Sequence, residues 1–282
     1  MPSPPSISVL IRTYNSEKTL ARLLSKLVLA PGDEVLVVDS GSQDLTSDVA
    51  ARFGARLIQA PLPFSYSKSL NAGFKVAKNP LVHVLSSHAI PMVPDLLDRM
   101  RKLALEHTAE VAAFYGPSGI SGRDDLGTSS DKAIMFQQDE YSKYSSAVGN
   151  ANTLYRHAAW LEIPFDEGIR TDEDKTWARC ALQAGYLLAY APSAPVLNKS
   201  NYSLAYMFRK GQSDARAVKI ADAPPMSIRH LCGGLKKMLF RKLSGEIDFG
   251  NWIRYSAHIF GQYSGSRLVK DNTPRENSRT RP

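Results

Sequence analysis

Short unbroken apolar runs alternate along the first two-thirds of the chain with segments whose apolar positions recur every three or four residues. The first pattern predicts buried strands and the second amphipathic helices. Ile7–Ile11 reads as a strand, and Asn15 then caps a helix with apolar positions Leu20, Leu23, Leu24, Leu27 and Val28, stopped by Pro31-Gly32. Glu34–Val38 is a second strand, Leu45–Phe53 a helix ended by Gly54, and Arg56–Gln59 a short third strand. A helix over Ser67–Ala77 leads to the strand Leu81–Leu85, and Pro94 opens a helix running to about His107. Val111–Tyr115 is a fifth strand, and the Gly/Ser/Asp-rich stretch from Gly116 to about Ser130 reads as a loop. This rhythm continues to about Ala191 and predicts an α/β fold with a mostly parallel central sheet flanked by helices. Past Pro192 it gives way to a helical, basic extension, so the expected division is residues 1–200 and residues 201–282, with 275–282 frayed.

The charge supports that division. Residues 1–200 hold 20 Lys and Arg against 21 Asp and Glu, and residues 201–282 hold 15 against 6. The whole excess of +8 therefore belongs to the C-terminal part, which suits an anionic lipid surface, a phosphate-bearing acceptor or simply a solvated face. Lys236-Lys237 and Arg241-Lys242 bracket Met238-Leu239-Phe240, an interleaving that fits peripheral membrane contact or ordinary packing of Leu235, Met238 and Leu239. No nucleic-acid recognition motif accompanies the charge, so nucleic acid is not an expected partner. Cys180 and Cys232 have neither metal-ligand nor disulfide spacing. With no signal-like start and no membrane-spanning apolar run, the expected location is cytoplasmic, or peripheral at the inner membrane face.

Ligands of open α/β sheets collect at the carboxyl ends of the strands. Here those ends carry Arg12-Thr13-Tyr14-Asn15, Asp39-Ser40-Gly41-Ser42 and Ser86-Ser87-His88. Neither a GxGxxG turn nor a phosphate-binding P-loop is present. Asp39 leaves a buried strand at its tip, where it either accepts bonds from a base or ribose or caps the next turn. Thr171-Asp172-Glu173-Asp174-Lys175-Thr176-Trp177 crowds three acids at a helix start. That placement satisfies the helix dipole, and it also raises the proton affinity a general base needs.

Taken together, Ser8–Asn15 and Val37–Thr46 resemble the opening of family 2 glycosyltransferases, inverting enzymes of GT-A fold. Ser67–Gly73 resembles the family's Asn-x-Gly helix, and Asn150-Ala151-Asn152 with Pro164–Glu167 its acceptor-side strand. Glu173-Asp174-Lys175-x-Trp177 with Ala184-Gly185-Tyr186 resembles its catalytic segment. The similarity spans residues 6–210 or so, in five pieces of matching order. It implies transfer of a hexosyl or deoxyhexosyl group from a dTDP-, UDP- or GDP-linked donor to a glycan or lipid-linked acceptor, as in polysaccharide biosynthesis. Thr13, Tyr14, Asn15, Asp39, Ser40, Lys68, Asn71, Ser86 and His88 would then face the donor. Asp174 would be the catalytic base with Glu173 supporting it, and Asn152 and Trp177 would lie on the acceptor or sugar side, although Trp177 serves equally as a core anchor.

Two positions depart from the resemblance. The family's Asp-x-Asp, which holds a divalent cation against the diphosphate, is replaced by Ser86-Ser87-His88. A metal-completing His is replaced by the neighbourhood of Asn198-Lys199. Mg²⁺ prefers hard oxygen ligands, so His88 points to Mn²⁺, to direct contact with the diphosphate, or to a degenerate donor site in a non-catalytic partner protein. A nucleotidyltransferase is disfavoured, because its first loop is rich in glycine and Arg12–Asn15 has none.

Overall fold

The computed structural model describes residues 4–119, 132–145, 148–169, 172–198, 204, 207–208, 211–212, 227–243 and 249–265. Thr171, Lys199, most of the 116–130 loop and the 275–282 terminus singled out above lie outside them. The chain divides into two compact units, Met1–Ser200 and Asn201–Pro282.

The first unit runs β1 (Ile7–Thr13), α1 (Glu17–Leu24), β2 (Glu34–Asp39), α2 (Thr46–Arg52), β3 (Arg56–Gln59), α3 (Tyr66–Val76), β4 (Leu81–Ser86) and β5 (Ala89–Pro91). It continues with α4 (Leu96–Glu106), β6 (Val111–Tyr115), β7 (Ile134–Phe136), α5 (Tyr141–Tyr144), β8 (Asn152–Arg156) and α6 (His157–Glu162). Last come α7 (Glu173–Gln183), β9 (Leu187–Tyr190) and β10 (Val196–Asn198). Eight strands form one sheet in the order β3-β2-β1-β4-β8-β6-β9-β7, and β10 pairs antiparallel with β5 in a second sheet. The sheet is parallel from β3 through β4 and in β6·β9, and antiparallel where β8 sits between β4 and β6 and where β7 joins β9.

Strand periodicity builds two cores. Ile7, Val9 and Ile11 of β1 join residues of α1, α2 and α4 on one face. Leu10 points the other way and joins α3, α6 and α7. Gly73 makes that second packing possible, because a Cβ there would overlap the Leu10 side chain.

Two local readings are corrected. Asn15 does not cap α1; it sits at φ 46° and its side chain accepts from the Gln43 amide at 2.8 Å, while Ser16 occupies the N-cap position. The helix also ends at Leu24 rather than near Val28, which is exposed, so its apolar period outlasts the face that can be buried.

In the second unit, α8 (Ile228–Leu243) and α9 (Phe249–Gly265) are helices that contact one another. Gly211 and Gly261 allow close backbone approach there, to His258 and Phe208 respectively. No helix among the described residues is long and apolar enough to cross a membrane.

Candidate active site

β1 is flanked by β2 on one side and β4 on the other, so the direction of strand succession reverses between β1 and β4. Such a switch point opens a crevice at the strands' carboxyl ends. The parallel register brings those ends level, with Thr13 opposite Asp39 and Arg12 opposite Ser86. The three polar groups identified in the sequence therefore share one edge.

Asp39 is almost wholly buried, and its carboxylate is a hub. Thr13 Oγ1 donates to Oδ1 at 3.0 Å, the amides of Gly41 and Ser42 donate to Oδ2 at 3.1 and 2.8 Å, and Ser42 Oγ donates to Oδ1. Gly41 sits at φ 89°, a conformation that suits glycine. Of the two roles open in the sequence, turn-capping is the one seen. Ser42 Oγ also accepts from the Asn15 amide at 2.8 Å, which zips the β1 and β2 loops together. The Ser40 amide donates to the Thr13 carbonyl at 3.0 Å. Ser16 Oγ and Ser87 Oγ, 2.9 Å apart, join the β1 loop to the β4 loop. Tyr14 projects into solvent, whereas Ser40, Lys68, Ser86 and His88 are half-buried. Burial and the nearby Arg12 guanidinium lower the His88 pKa, so its imidazole is neutral rather than a cation.

The acids at the start of α7 reach this edge. Arg12 Nη1 donates to Glu173 Oε1 at 3.2 Å, across 161 residues of sequence, and the guanidinium lies over the Tyr66 ring at 4.9 Å. Asp174 accepts from the Lys175 amide at 2.8 Å and from the Asn150 amide at 3.1 Å. Its pKa is raised to about 6, first by burial and then by the Glu173 carboxylate. Crowding of acids, the sequence-based reason, is thus the lesser cause. Asp172 is paired with Lys175 Nζ at 3.3 Å. Asp172 and Asn15 are the described non-glycine residues at positive φ, and both border this edge, where residues that tolerate the left-handed region are needed.

Asn150 was not among the residues singled out for a role, yet it touches both acids. Its amide holds Asp174, and its Nδ2 donates to Glu173 Oε1 at 3.3 Å. Tyr155 donates its hydroxyl to Asn150 Oδ1 at 2.6 Å, which fixes the orientation of the side-chain amide. The only sequence signal was its place beside Asn152; its partners lie 23 and 24 residues away.

Asn71 and Asn152 have structural roles in place of the expected contacts, and Trp177 takes the second of the two roles open to it. Asn71 is buried, with Nδ2 donating to the Phe165 carbonyl and to Glu167 Oε1 and with Oδ1 accepting from Trp160 Nε1 and the Phe165 amide, all within 2.9–3.1 Å. It clasps the 163–167 segment and has no capacity left for a donor. Asn152 is buried between chain segments. Its Nδ2 donates to the Ala194 and Pro117 carbonyls at 2.7 and 3.3 Å, so its Oδ1 accepts from His83 Nε2 at 2.9 Å. Complete burial holds that His83 down to about 4, hence neutral. Trp177 is 2% exposed, packs edge-on against Tyr155 at 4.8 Å and donates Nε1 to the Ile163 carbonyl at 2.6 Å. It is a core anchor rather than a platform for sugar.

The residues at the β4 end do not suit a hard cation. They offer hydroxyls and a neutral imidazole, and no group of three His, Cys, Asp or Glu able to hold a metal occurs among the described residues. Asn198, paired with Ala89 across β10·β5, adds a buried amide oxygen without a hydrogen-bond partner among the described residues, another neutral ligand.

Comparison with known proteins completes this picture. The sequence profile described as glycosyl transferase family 2 matches residues 8–186, most of the chain and nearly all of the first unit. The chain belongs to that family. Among relatives, it is 30% identical over 118 residues to an uncharacterized glycosyltransferase of Mycobacterium tuberculosis, covering 40% of this chain and 53% of the relative. The chain thus spans about half the length of that relative. The succinoglycan biosynthesis protein ExoO of Rhizobium meliloti is 26% identical over 266 residues, covering 86% of this chain and 74% of the relative. Among solved structures, a mannosyltransferase of Pyrobaculum calidifontis in complex with GDP-Man and Mn²⁺ superposes with a TM-score of 0.64 at 15% identity, covering 95% of this chain and 89% of the other. Glucosyl-3-phosphoglycerate synthase of Mycobacterium tuberculosis, in complex with UDP, gives 0.56 at 16% identity, with 78% and 81% covered. These likenesses establish the GT-A-like fold of this family 2 member.

Proposed function

We propose that this family 2 member transfers a sugar from a nucleoside-diphosphate donor to a hydroxyl of a glycan or lipid-linked acceptor, with inversion. The observation that carries the proposal is Asp174, a half-buried carboxylate with pKa near 6, held by two amides at the crevice edge. A base with pKa just below neutrality is ionised at pH 7 and still has appreciable proton affinity. In the proposed step Asp174 takes the acceptor O–H proton while the oxygen bonds to the anomeric carbon. The bond from that carbon to the diphosphate oxygen breaks on the opposite face, and its electron pair leaves with the nucleoside diphosphate. Glu173, held by Arg12 and Asn150, keeps the start of α7 against β1.

Because the β4 end does not suit a hard cation, no step is assigned to a metal. In this reading Arg12 and Lys68, among the described residues, would offset diphosphate charge. In support of a donor of this class, the Pyrobaculum calidifontis structure contains GDP-Man with Mn²⁺. A second reading, a partner protein with a degenerate donor site, is favoured by one observation: the Asp39 carboxylate is already engaged by four donors.

Calorimetric titration with UDP, GDP and dTDP, in Mn²⁺ and then in EDTA, tests these readings. One nucleotide is expected to bind saturably, with affinity in EDTA within a few-fold of that in Mn²⁺. Loss of binding in EDTA would overturn the metal-free assignment, and no binding of any nucleotide to the folded protein would favour the partner reading. Asp39→Ala is expected to weaken that binding at least about tenfold by loosening the turn at 39–42. Unchanged affinity would leave Asp39 with a turn-forming role alone.

A further inference from the structure

A surface of the second unit has a chemistry of its own. Helix α8 carries four Lys or Arg residues besides Arg241 and no acid over Ile228–Leu243. Its half-buried side carries Leu231, Gly234, Leu235 and Met238, and Gly234 approaches Ile259 of α9. That contact identifies the face turned to its helical neighbour. The remaining arc ought to be polar in a helix whose packed stripe is already supplied by these residues. Instead Ile228 is 60% exposed, Leu239 46%, Phe240 68% and Leu243 77%. At 100° per residue these four fall within one third of the helix circumference, with Arg229 and Lys236 set among them and Lys237 on the flank beyond Phe240. Among the described residues no ion pair engages Arg229, Lys236 or Lys237.

We propose that this face of α8 docks on an anionic lipid surface, with Phe240, Leu239, Leu243 and Ile228 entering the interface and Arg229, Lys236 and Lys237 engaging the headgroups. The choice of occupant follows from the mixture of residues. A nucleic acid would engage the cations but leave Phe240 and Leu243 in water. A second copy docked through the same face would crowd cations with no acid on either helix to offset them. An anionic bilayer surface takes both components, burying apolar side chains at the acyl boundary while basic ones reach outward to phosphates. The surplus of nine positive charges in residues 201–282 adds to the attraction. This proposal does not depend on the transferase reading.

Flotation of the whole protein with vesicles provides the test. Vesicles of equimolar phosphatidylcholine and phosphatidylglycerol are expected to carry the protein upward, and pure phosphatidylcholine to bind it at least about tenfold more weakly. The double variant Leu239→Ser/Phe240→Ser should weaken binding to the anionic vesicles about tenfold or more. Lys236→Glu/Lys237→Glu should do the same, and these exposed sites should leave helicity and Tm unchanged. Absence of flotation, equal binding to neutral vesicles, or an apolar double variant that floats like the parent would each overturn the proposal. So would a dimer seen by light scattering that the Phe240 variant dissociates while vesicle binding is absent.

Discussion

Asp174→Asn is expected to lower turnover about 10²–10⁴-fold, the usual span for removing a positioned general base. Donor affinity should change little, because Asp174 touches the acceptor in the proposed step and not the nucleotide. The pH dependence gives an independent sign. Asp174 must be ionised to accept a proton, so activity should fall as pH drops through about 6, and Asp174→Asn should lack that step. Stability should respond in the opposite sense. The folded-state pKa lies above the ordinary carboxylate value of 3.8, so the folded protein holds a proton that the unfolded chain releases between those values. Asp174 therefore costs stability as pH rises from about 4 to about 6, and the cost is constant above that. Stopped assays across pH and thermal melts of both proteins would check each part. Normal turnover in the Asn variant would remove Asp174 from the mechanism.

Asn71→Ala should act on the fold rather than on the donor. It removes a buried amide whose oxygen and nitrogen serve four partners, and it leaves Trp160 Nε1 and the Phe165 amide without an acceptor. Each buried group so abandoned costs about 1–3 kcal/mol, so a loss of about 3–5 kcal/mol is expected. For a unit of this size that lowers Tm by about 6–20 °C. Below the new melting range, nucleotide affinity should equal that of the parent. A variant with an unchanged melt and weakened nucleotide binding would return Asn71 to the donor site. The paired Gly73 completes the explanation of this short motif: one residue clasps the 163–167 segment, and the other admits Leu10.

These two residues mark the boundary between what could be read and what could not. The acid cluster around Asp174 was visible because three acids at a helix start are locally unusual, and the choice of Asp174 within it rests on the family resemblance. The same local logic set Asn71 and Asn152 beside ligands and left Trp177 open between sugar contact and core anchor, since a polar or aromatic residue in a motif looks alike whether it faces a ligand or the interior. Their partners sit far along the chain, 94 residues away for Asn71 and Phe165. Asn150 was passed over for the same reason, its importance lying in contacts with two acids of another element. In α8 the mixture of cations and apolar residues was visible, but which apolar residues are exposed was not. Leu235 and Met238 lie on the half-buried side, whereas Leu239 points outward.

Family membership, strand positions, the polar strand ends and the unequal charge of the two units are local or compositional properties, carried by residue type and spacing alone. Periodicity of two or of 3.6 is enough to place a buried face, and a strand's end needs no distant partner. Tertiary structure decided which polar side chains remain free for chemistry. That choice depends on hydrogen-bond saturation by remote segments, as in the hubs at Asp39, Asn71 and Asn152. It also set the proton affinity of Asp174, because burial, the main cause, exists only once α7 and the segment before β8 have come together.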